Sequence, residues 1–134
     1  MIAADAAGQS VTLSGSGFTN AGVLKAQGGG TLNLAGTFDT GQLGVLENSG
    51  GTLALSGTLN NSGTTLGLDA TTGTMMLNGG ALNGGTVSSS AGGGLAVAAF
   101  STGLLNGVTL DTDMSVNGRS TLTVQNGLTL ANGH

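Results

Sequence analysis

Two aspartates that stand two residues apart are the strongest candidate for chemistry in this sequence. In Asp111-Thr112-Asp113 both acidic side chains would point to one face of a strand, because strand side chains alternate. Two carboxylates on one face can serve as general acid and base on a polysaccharide, or can hold calcium. No Lys, Arg or His lies nearby in sequence to stabilise an anionic transition state. We therefore interpret the pair as a solvated corner and assign no catalytic residue.

The other residues that could act in catalysis or bind a metal are few and dispersed. Asp5, Asp39, Glu47 and Asp69 fall in separate segments, and His134 is both the only histidine and the last residue. A Ser-His-Asp triad or a zinc site therefore lacks its minimum set of residues. A Gly-rich phosphate loop ending in Lys and the calcium-binding glycine-aspartate nonapeptide are also missing. The sequence predicts no enzymatic activity, no metal and no cofactor.

Charge and hydropathy argue against two classes of partner. The chain has 134 residues and a formal charge of −4, with Lys25 and Arg119 as its only cations. No basic patch can neutralise a run of phosphates, so we expect no nucleic acid partner. No stretch approaches the roughly 20 apolar residues of a membrane span. The first residues lack the basic and apolar regions of a signal peptide, so we expect any export signal to lie outside this sequence.

The composition favours a fold made of strands. Leu, Val and Thr recur throughout and only 6% of residues are charged, which argues against disorder. The 28 glycines come without proline, which excludes collagen, and the absence of cysteine excludes a disulfide scaffold. Apolar strands must therefore supply the stability.

An internal repeat of about 20 residues runs through the chain. Six apolar-x-apolar triplets alternate as half-buried strands do, and their first residues are 21, 21, 22, 20 and 19 positions apart. The triplets are Val11-Thr12-Leu13, Leu32-Asn33-Leu34, Leu53-Ala54-Leu55, Met75-Met76-Leu77, Leu95-Ala96-Val97 and Met114-Ser115-Val116. A second series is Phe18, Phe38, Leu59, Leu82, Leu105 and then Leu122 or Val124. A fainter third series is Val23, Leu43 with Val45, Leu66 with Leu68, Val87, Val108 with Leu110, and Leu128 with Leu130.

Three short strands per repeat predict an all-β fold, a three-sided parallel β-helix (a β-solenoid) of about six coils of 19–23 residues. Gly and Asn between the strands suit sharp corners, because glycine adopts positive φ without penalty and Asn tolerates it. The preference for right-handed parallel crossovers predicts a right-handed coil. We expect one domain over residues 1–134, with coil boundaries least clear near residues 91–103.

The repeat also predicts which side chains meet. Leu55 should point into a narrow dry core and Ala54 to solvent. Phe18 and Phe38 should stack within the core. The column of corner residues is Thr19, Asp39, Asn60, Asn83 and Asn106. Its Asn members should form a stacked amide ladder along the rod.

Outward threonines raise an ice-binding alternative. Thr31, Thr52 and Thr74 stack by repeat, yet the Thr-x-Thr pattern of a regular water-ordering face occurs only at Thr121-Leu122-Thr123. We therefore rank ice binding below the other functions. A glycan site would rely on polar groups, because the chain has three Phe and no Trp or Tyr.

The repeat style resembles that of a known group of exported proteins. Gly30-Thr31-Leu32-Asn33-Leu34, Gly51-Thr52-Leu53-Ala54-Leu55 and the two segments Asn106–Leu110 and Asn126–Leu130 are similar to passenger regions of bacterial autotransporters and filamentous haemagglutinin-like proteins. The resemblance covers nearly the whole chain. It implies a structural or adhesive segment on the bacterial cell surface or outside the cell, with a host or surface receptor or a glycan as partner. The alternative is a fragment of a β-helix carbohydrate-active enzyme.

The last segment, Leu128–His134, still follows the repeat. We therefore expect the chain to be part of a longer array. The unpaired strand edges of its terminal coils should allow self-association end to end.

Overall fold

The computed structural model describes residues 1–134 as a parallel β-solenoid of about six coils, with almost no helix. One 3-10 turn spans Thr40–Gln42. The strands are β1 Ile2–Ala4, β2 Ser10–Leu13, β3 Val23–Gln27, β4 Thr31–Leu34, β5 Thr37–Asp39, β6 Val45–Ser49, β7 Thr52–Leu55, β8 Thr58–Asn60, β9 Thr65–Leu68, β10 Thr74–Leu77, β11 Ala81–Asn83, β12 Thr86–Ser89, β13 Gly94–Val97, β14 Thr102–Asp111, β15 Met114–Val116 and β16 Thr121–Leu130.

The first ladder of strands contains all six predicted triplets. Strands β2, β4, β7, β10, β13 and β15 form one parallel sheet in that order. The first residues of the triplets pair in succession: Val11, Leu32, Leu53, Met75, Leu95 and Met114. The predicted repeat and its register are confirmed on this ladder.

The second ladder consists of β5, β8, β11 and the first halves of β14 and β16. Its inward column runs through Phe38, Leu59, Leu82, Leu105 and Val124, so Val124 and not Leu122 is the partner of Leu105. The pairing of β14 with β16 shifts by one residue between Asn106 and Val108. β16 thus carries a β-bulge at the corner between its two halves.

The third ladder is divided into two parts. β1, β3 and β6 form one sheet, while β9, β12 and the second halves of β14 and β16 belong to another. Val23 pairs with Val45 as predicted, but neither valine belongs to the buried core. Val45 is 51% exposed, and the adjacent Leu24 and Leu46 are buried instead. Two consecutive apolar residues permit either register, and burying leucine removes more apolar surface from water.

A single core of 21 buried residues follows the axis of the rod, and leucine dominates it. Leu55 is fully buried as predicted. Ala54, expected on the solvent side, is only 4% exposed. Its neighbours across the ladder are Asn33 and Met76, which are longer, so the methyl group of Ala54 lies in a cleft between them.

Some corners depend on glycine because backbones of neighbouring coils approach closely. Gly57 lies between β7 and β8, and a Cβ there would collide with the carbonyl oxygen of Gly36 in the preceding coil. The Gly57 N–H donates to the carbonyl of Leu34 at 2.9 Å, which holds the two coils at this separation. Close packing, and not an unusual φ, therefore excludes a side chain at Gly57.

The segment with the least clear period contains β13 and the start of β14. Between them lies Phe100, which has φ of 58° and a side chain that is 78% exposed. Phe100 therefore belongs to a corner and not to the core. The handedness of the coil and its three-sided cross-section stay predictions.

Candidate functional site

The structure brings the two candidate aspartates together with the only histidine. His134 Nδ1 lies 2.8 Å from Asp113 Oδ1, and His134 Nε2 lies 3.7 Å from Asp111 Oδ1. Asn132 Nδ2 donates to Asp111 Oδ1 at 2.8 Å. The Asp113 side chain is 94% exposed at this corner, and the next coil supplies a partner for each carboxylate.

These residues are far apart in sequence, so the cluster was not predicted. Their spacing of one repeat nevertheless indicates that they are neighbours. His134 follows Asp113 by 21 residues, and Asn132 follows Asp111 by the same number. This separation is the length of one coil, so equivalent corner positions of successive coils become neighbours. A search for titratable residues one period apart would have found the group.

The geometry of this cluster does not suit nucleophilic catalysis. Both ring nitrogens of His134 face carboxylates, so neither is directed at a hydroxyl that it could deprotonate. The intervening Thr112 is 2% exposed, and its Oγ1 donates to the carbonyl of Asp113 at 3.1 Å. No group of three or more His, Cys, Asp or Glu side chains is arranged to hold a metal ion.

An apolar cavity of about 360 Å³ lies beside this cluster at the end of the rod formed by β15 and β16. Its lining residues are Leu110, Thr112, Asp113, Met114, Val116, Leu122, Leu128, Leu130 and His134. Val116, Leu128 and Leu130 are 47%, 37% and 57% exposed. Asp113 and His134 of the acidic cluster thus share this cavity with partly exposed apolar side chains.

A ladder of side-chain amides runs along the second ladder of strands, as predicted. Asn60 Nδ2 donates to Asp39 Oδ1 at 3.3 Å, and Asn83 Nδ2 donates to Asn60 Oδ1 at 3.2 Å. Asn106 continues the series onto Asn83 at 3.2 Å, and Asn126 onto Asn106 at 2.6 Å. Asn60, Asn83 and Asn106 each donate to the preceding coil and accept from the next, so the ladder links five coils.

Asn83→Ala is expected to lower the free energy of unfolding by about 1–2 kcal/mol. The substitution removes one donated and one accepted hydrogen bond from a half-buried position, and each is worth about 0.5–1.5 kcal/mol. Denaturant unfolding followed by circular dichroism measures the loss. Asn33→Ala is the matched comparison, because Asn33 accepts a single side-chain bond, from Ser56 Oγ at 2.9 Å. An equal or larger loss for Asn33→Ala would contradict a cooperative role for the amide ladder.

Asp69 organises the tight turn after β9. Its Oδ1 accepts hydrogen bonds from the backbone N–H groups of Thr71 at 2.8 Å and Thr72 at 3.1 Å. The Asp69 N–H donates to Thr72 Oγ1 at 2.6 Å. Backbone donation from Thr72, and then from Thr71, lowers the pKa of the Asp69 carboxyl, because these bonds favour its charged form.

The lowered pKa gives a prediction about acid stability. Because the pKa of Asp69 is lower in the folded chain than in the unfolded chain, its carboxylate stabilises the fold above the ordinary value of 3.8. This contribution disappears as the pH falls through the lowered pKa. Asp69→Asn should therefore lower the melting temperature at pH 7 and make little difference at about pH 2. Thr71→Ser keeps both backbone donors and should retain the pH dependence of the unmodified chain; a pH-independent effect of Asp69→Asn would contradict the assignment.

A second cavity, of about 170 Å³, marks the division of the third ladder. Leu43, Leu46 and Leu66 line it from the two sides where β6 and β9 fail to pair. Asn48 N–H donates to the carbonyl of Thr71 at 2.7 Å across the same division. The turn organised by Asp69 therefore bridges the two halves of the third ladder.

The phenylalanine pair and the row of outward threonines each differ in detail from the prediction. Phe18 and Phe38 are neighbours as expected, with ring centroids 5.5 Å apart, but the rings meet edge to face at 79°. Thr31 pairs with Thr52, but the row ends when Thr74 pairs with Gly94. A longer row, which the repeat had not indicated, joins Thr65, Thr86, Thr109 and Thr129 on the third ladder.

Comparison with known proteins adds no relative to this description. No protein-family model, curated protein or solved structure matches the chain. The fold assignment therefore rests on strand pairing, and the resemblance to autotransporter and haemagglutinin-like repeats stays a prediction. None of the helical structure is long and apolar enough to cross a membrane.

Proposed function

We propose that this chain is a structural and adhesive segment of a secreted or cell-surface bacterial protein, able to associate with itself end to end. The observation that supports the proposal most strongly is the continuity of the first ladder, a six-stranded parallel sheet that runs through every coil. The core and the Asn ladder run in the same direction. Side chains that stack from coil to coil build a rod, which is the requirement for a stalk or spacer.

The outer surface suits many weak contacts with a large partner. Polar residues such as Thr, Ser and Asn alternate with the core residues on each ladder, so the rod presents flat polar faces about 30 Å long, at about 4.8 Å per coil. Such faces offer many hydroxyl and amide groups in regular rows. A surface receptor or a glycan could bind them through repeated weak hydrogen bonds.

Surface display tests the proposed role. The chain is placed between a membrane anchor and an epitope tag on bacteria, and adhesion to glycan-coated and matrix-coated surfaces is counted. We expect the folded chain to increase adhesion at least several-fold over an otherwise identical display of the unfolded Leu55→Asp variant. Equal adhesion by the two displays, at equal tag density, would contradict the adhesive role.

The cluster at the end of the rod favours a carbohydrate-active enzyme as the second candidate. Asp111, Asp113 and His134 lie beside a cavity large enough for a sugar ring, and a carboxylate–histidine group can move a proton. The test is release of reducing ends from acidic and neutral polysaccharides. Cleavage that is lost in the double variant Asp111→Asn with Asp113→Asn would establish this candidate and displace the structural role.

A further inference from the structure

The corner that joins the first ladder to the second becomes longer partway along the rod. Leu77 pairs with Val97, 20 residues later, whereas Ala81 pairs with Leu104, 23 residues later. Three additional residues therefore lie between β13 and the part of β14 that pairs with β11. Because both ladders continue in register, this additional chain must lie outside them. It forms a step in the surface of the rod.

The step is an internal feature of the rod, with a coil on each side. Both strands that flank the longer corner pair with the following coil at a separation of 19 residues, as Thr102 does with Thr121. The following coil thus has a corner of the same length. The Phe100 N–H donates to the carbonyl of Gly118 at 3.1 Å, which joins the two longer corners.

A cavity of about 340 Å³ lies where the shorter corner meets the longer one. Gly79 of the shorter corner lines it, and a Cβ there would meet no atom within 4 Å, so this side is open. Leu104 supplies a partly exposed apolar side chain. The polar side chains on its walls are exposed and belong to Thr102, Thr123 and Gln125. The lining is therefore uncharged and combines polar groups with apolar surface, as small-ligand sites do.

The longer corners hold two residues in a backbone conformation that their side chains disfavour. Phe100 and Arg119 occupy equivalent positions in the two corners, and both have φ of 58°. The other two non-glycine residues with positive φ are Asn126 and Asn132, and asparagine tolerates this region. Phe100 is also 78% exposed, so packing within the chain does not offset its strain. Strained residues of this kind cluster where a protein contacts a ligand.

We propose that this step binds an acidic sugar residue of a glycan, with Phe100 against the sugar ring and Arg119 on its carboxylate. The inference rests on the adhesive function proposed above and names the class of glycan. The apolar face of a pyranose ring packs on an aromatic ring, and a guanidinium group binds a carboxylate through two parallel hydrogen bonds. Ring hydroxyls then meet Thr102, Thr123 and Gln125 in the cavity. Phe100 adds an aromatic platform to the polar contacts expected from the sequence.

The charges around the step favour an anionic sugar over a neutral one. Arg119 is exposed, and none of the three ion pairs of the chain includes it. No acidic residue lines the cavity. Asp113 precedes β15 and Arg119 follows it, so the strand separates these two charges. The guanidinium group is therefore available to a carboxylate from outside the chain.

The size of the step favours a glycan over a protein as the partner. A stable protein interface buries about 800 Å² on each side around an apolar centre. The step offers two apolar side chains, Phe100 and Leu104, among glycine, threonine and glutamine. A sugar residue needs only one ring face and a few polar partners. Further residues of the glycan would add weak contacts along the polar rows of the rod.

Titration with two matched tetrasaccharides tests the class of ligand. Tetramannuronate carries a carboxylate on each ring, and mannotetraose of the same linkage carries an uncharged hydroxymethyl group instead. Each is added to the nitrogen-15-labelled full chain, and two-dimensional nuclear magnetic resonance gives the affinity. We expect the amide signals of Thr102, Gly103 and Thr123 to shift. The acidic tetramer should bind about tenfold more tightly than the neutral one, because it forms hydrogen bonds to a charged group. Equal affinities would overturn the assignment of an acidic sugar.

Two substitutions separate contact with the sugar from folding. Arg119→Gln should weaken binding of the acidic tetramer about tenfold and leave that of the neutral tetramer unchanged. Phe100→Asn should weaken binding of both, because it removes the ring. Its melting temperature should stay unchanged or rise, because Asn126 and Asn132 adopt the same backbone region in this chain. Phe100→Tyr keeps the ring and should retain binding. A lower melting temperature of Phe100→Asn with unchanged binding would show a structural role and overturn the site.

The remaining outcomes distinguish this site from the adhesive function. Unchanged binding of tetramannuronate by either variant overturns the site, and so does an absence of binding at millimolar concentration. Shifts of the same signals with a blocked glutamate peptide, but not with tetramannuronate, assign the step to a protein partner and also overturn it. The adhesive function is measured separately by surface display. If tetramannuronate binds as expected and the displayed chain does not increase adhesion, the adhesive function fails and the site stands.

Discussion

Leu55→Asp is expected to unfold several coils of the solenoid. Leu55 is fully buried and pairs with Leu34 and Leu77 in the adjacent coils. The substitution removes a large apolar side chain, which costs about 2–5 kcal/mol, and places an unpaired carboxylate in a dry core. The sum approaches the whole stability of an ordinary domain, about 5–15 kcal/mol. Far-ultraviolet circular dichroism should show most of the β-signal lost at 25 °C.

Thr52→Asp in the same strand is the matched control. Thr52 is exposed and lies on the outer face of β7, so its aspartate stays in water. We expect its melting temperature to stay close to that of the unmodified chain. Ala54→Asp is a poor control, because Ala54 is buried between Asn33 and Met76. Equal loss of β-structure in Leu55→Asp and Thr52→Asp would contradict the assigned inner and outer faces.

Gly57→Ala should lower the free energy of unfolding by about 3 kcal/mol or more, although it adds one methyl group. The new Cβ would collide with the carbonyl oxygen of Gly36, and backbone cannot rotate away as a side chain can. Relief requires the two coils to separate at this corner. The hydrogen bond from Gly57 N–H to Leu34 would then lengthen or break. Denaturant unfolding gives the magnitude.

Gly67→Ala separates this steric effect from the general effect of replacing glycine. Gly67 lies within β9, and a Cβ there would meet no atom within 4 Å. Alanine reduces the conformational freedom of the unfolded chain, so the variant should be neutral or more stable by about 0.5 kcal/mol. Comparable destabilisation by the two substitutions would show that close approach of coils is not what requires glycine at position 57.

The first two ladders were predictable because each repeat marks them with a distinct residue pattern. An isolated triplet such as Leu53-Ala54-Leu55 has one register that buries both leucines, and the pairing confirms it. The corner asparagines recur next to the second series, so the position of Asn83 between Asn60 and Asn106 followed from the same spacing. A one-dimensional repeat converts sequence period directly into spatial adjacency.

The register and the division of the third ladder are not determined by the residue pattern. Val23-Leu24 and Val45-Leu46 offer two possible registers, and the packing of leucine against the core decides between them. The division between β6 and β9 is also not marked by any periodic signal in the sequence.

The candidate site was missed for a different reason. His134 has no acidic neighbour close in sequence, and its partner Asp113 lies one coil away. In a solenoid the chemically relevant distance along the chain is one period. Residues on corners must therefore be compared at that spacing before a site is excluded.

The distance between the first and last strands of the first ladder tests the solenoid most directly. Thr12 in β2 and Ser115 in β15 are exposed, occupy equivalent positions, and are separated by five strand intervals in the six-stranded sheet. With cysteine introduced at both positions and spin labels attached, pulsed electron paramagnetic resonance should give a narrow distribution centred near 24 Å, at about 4.8 Å per interval. A broad distribution, or a narrow one centred below about 15 Å or above about 35 Å, would contradict a stack of parallel coils in this register.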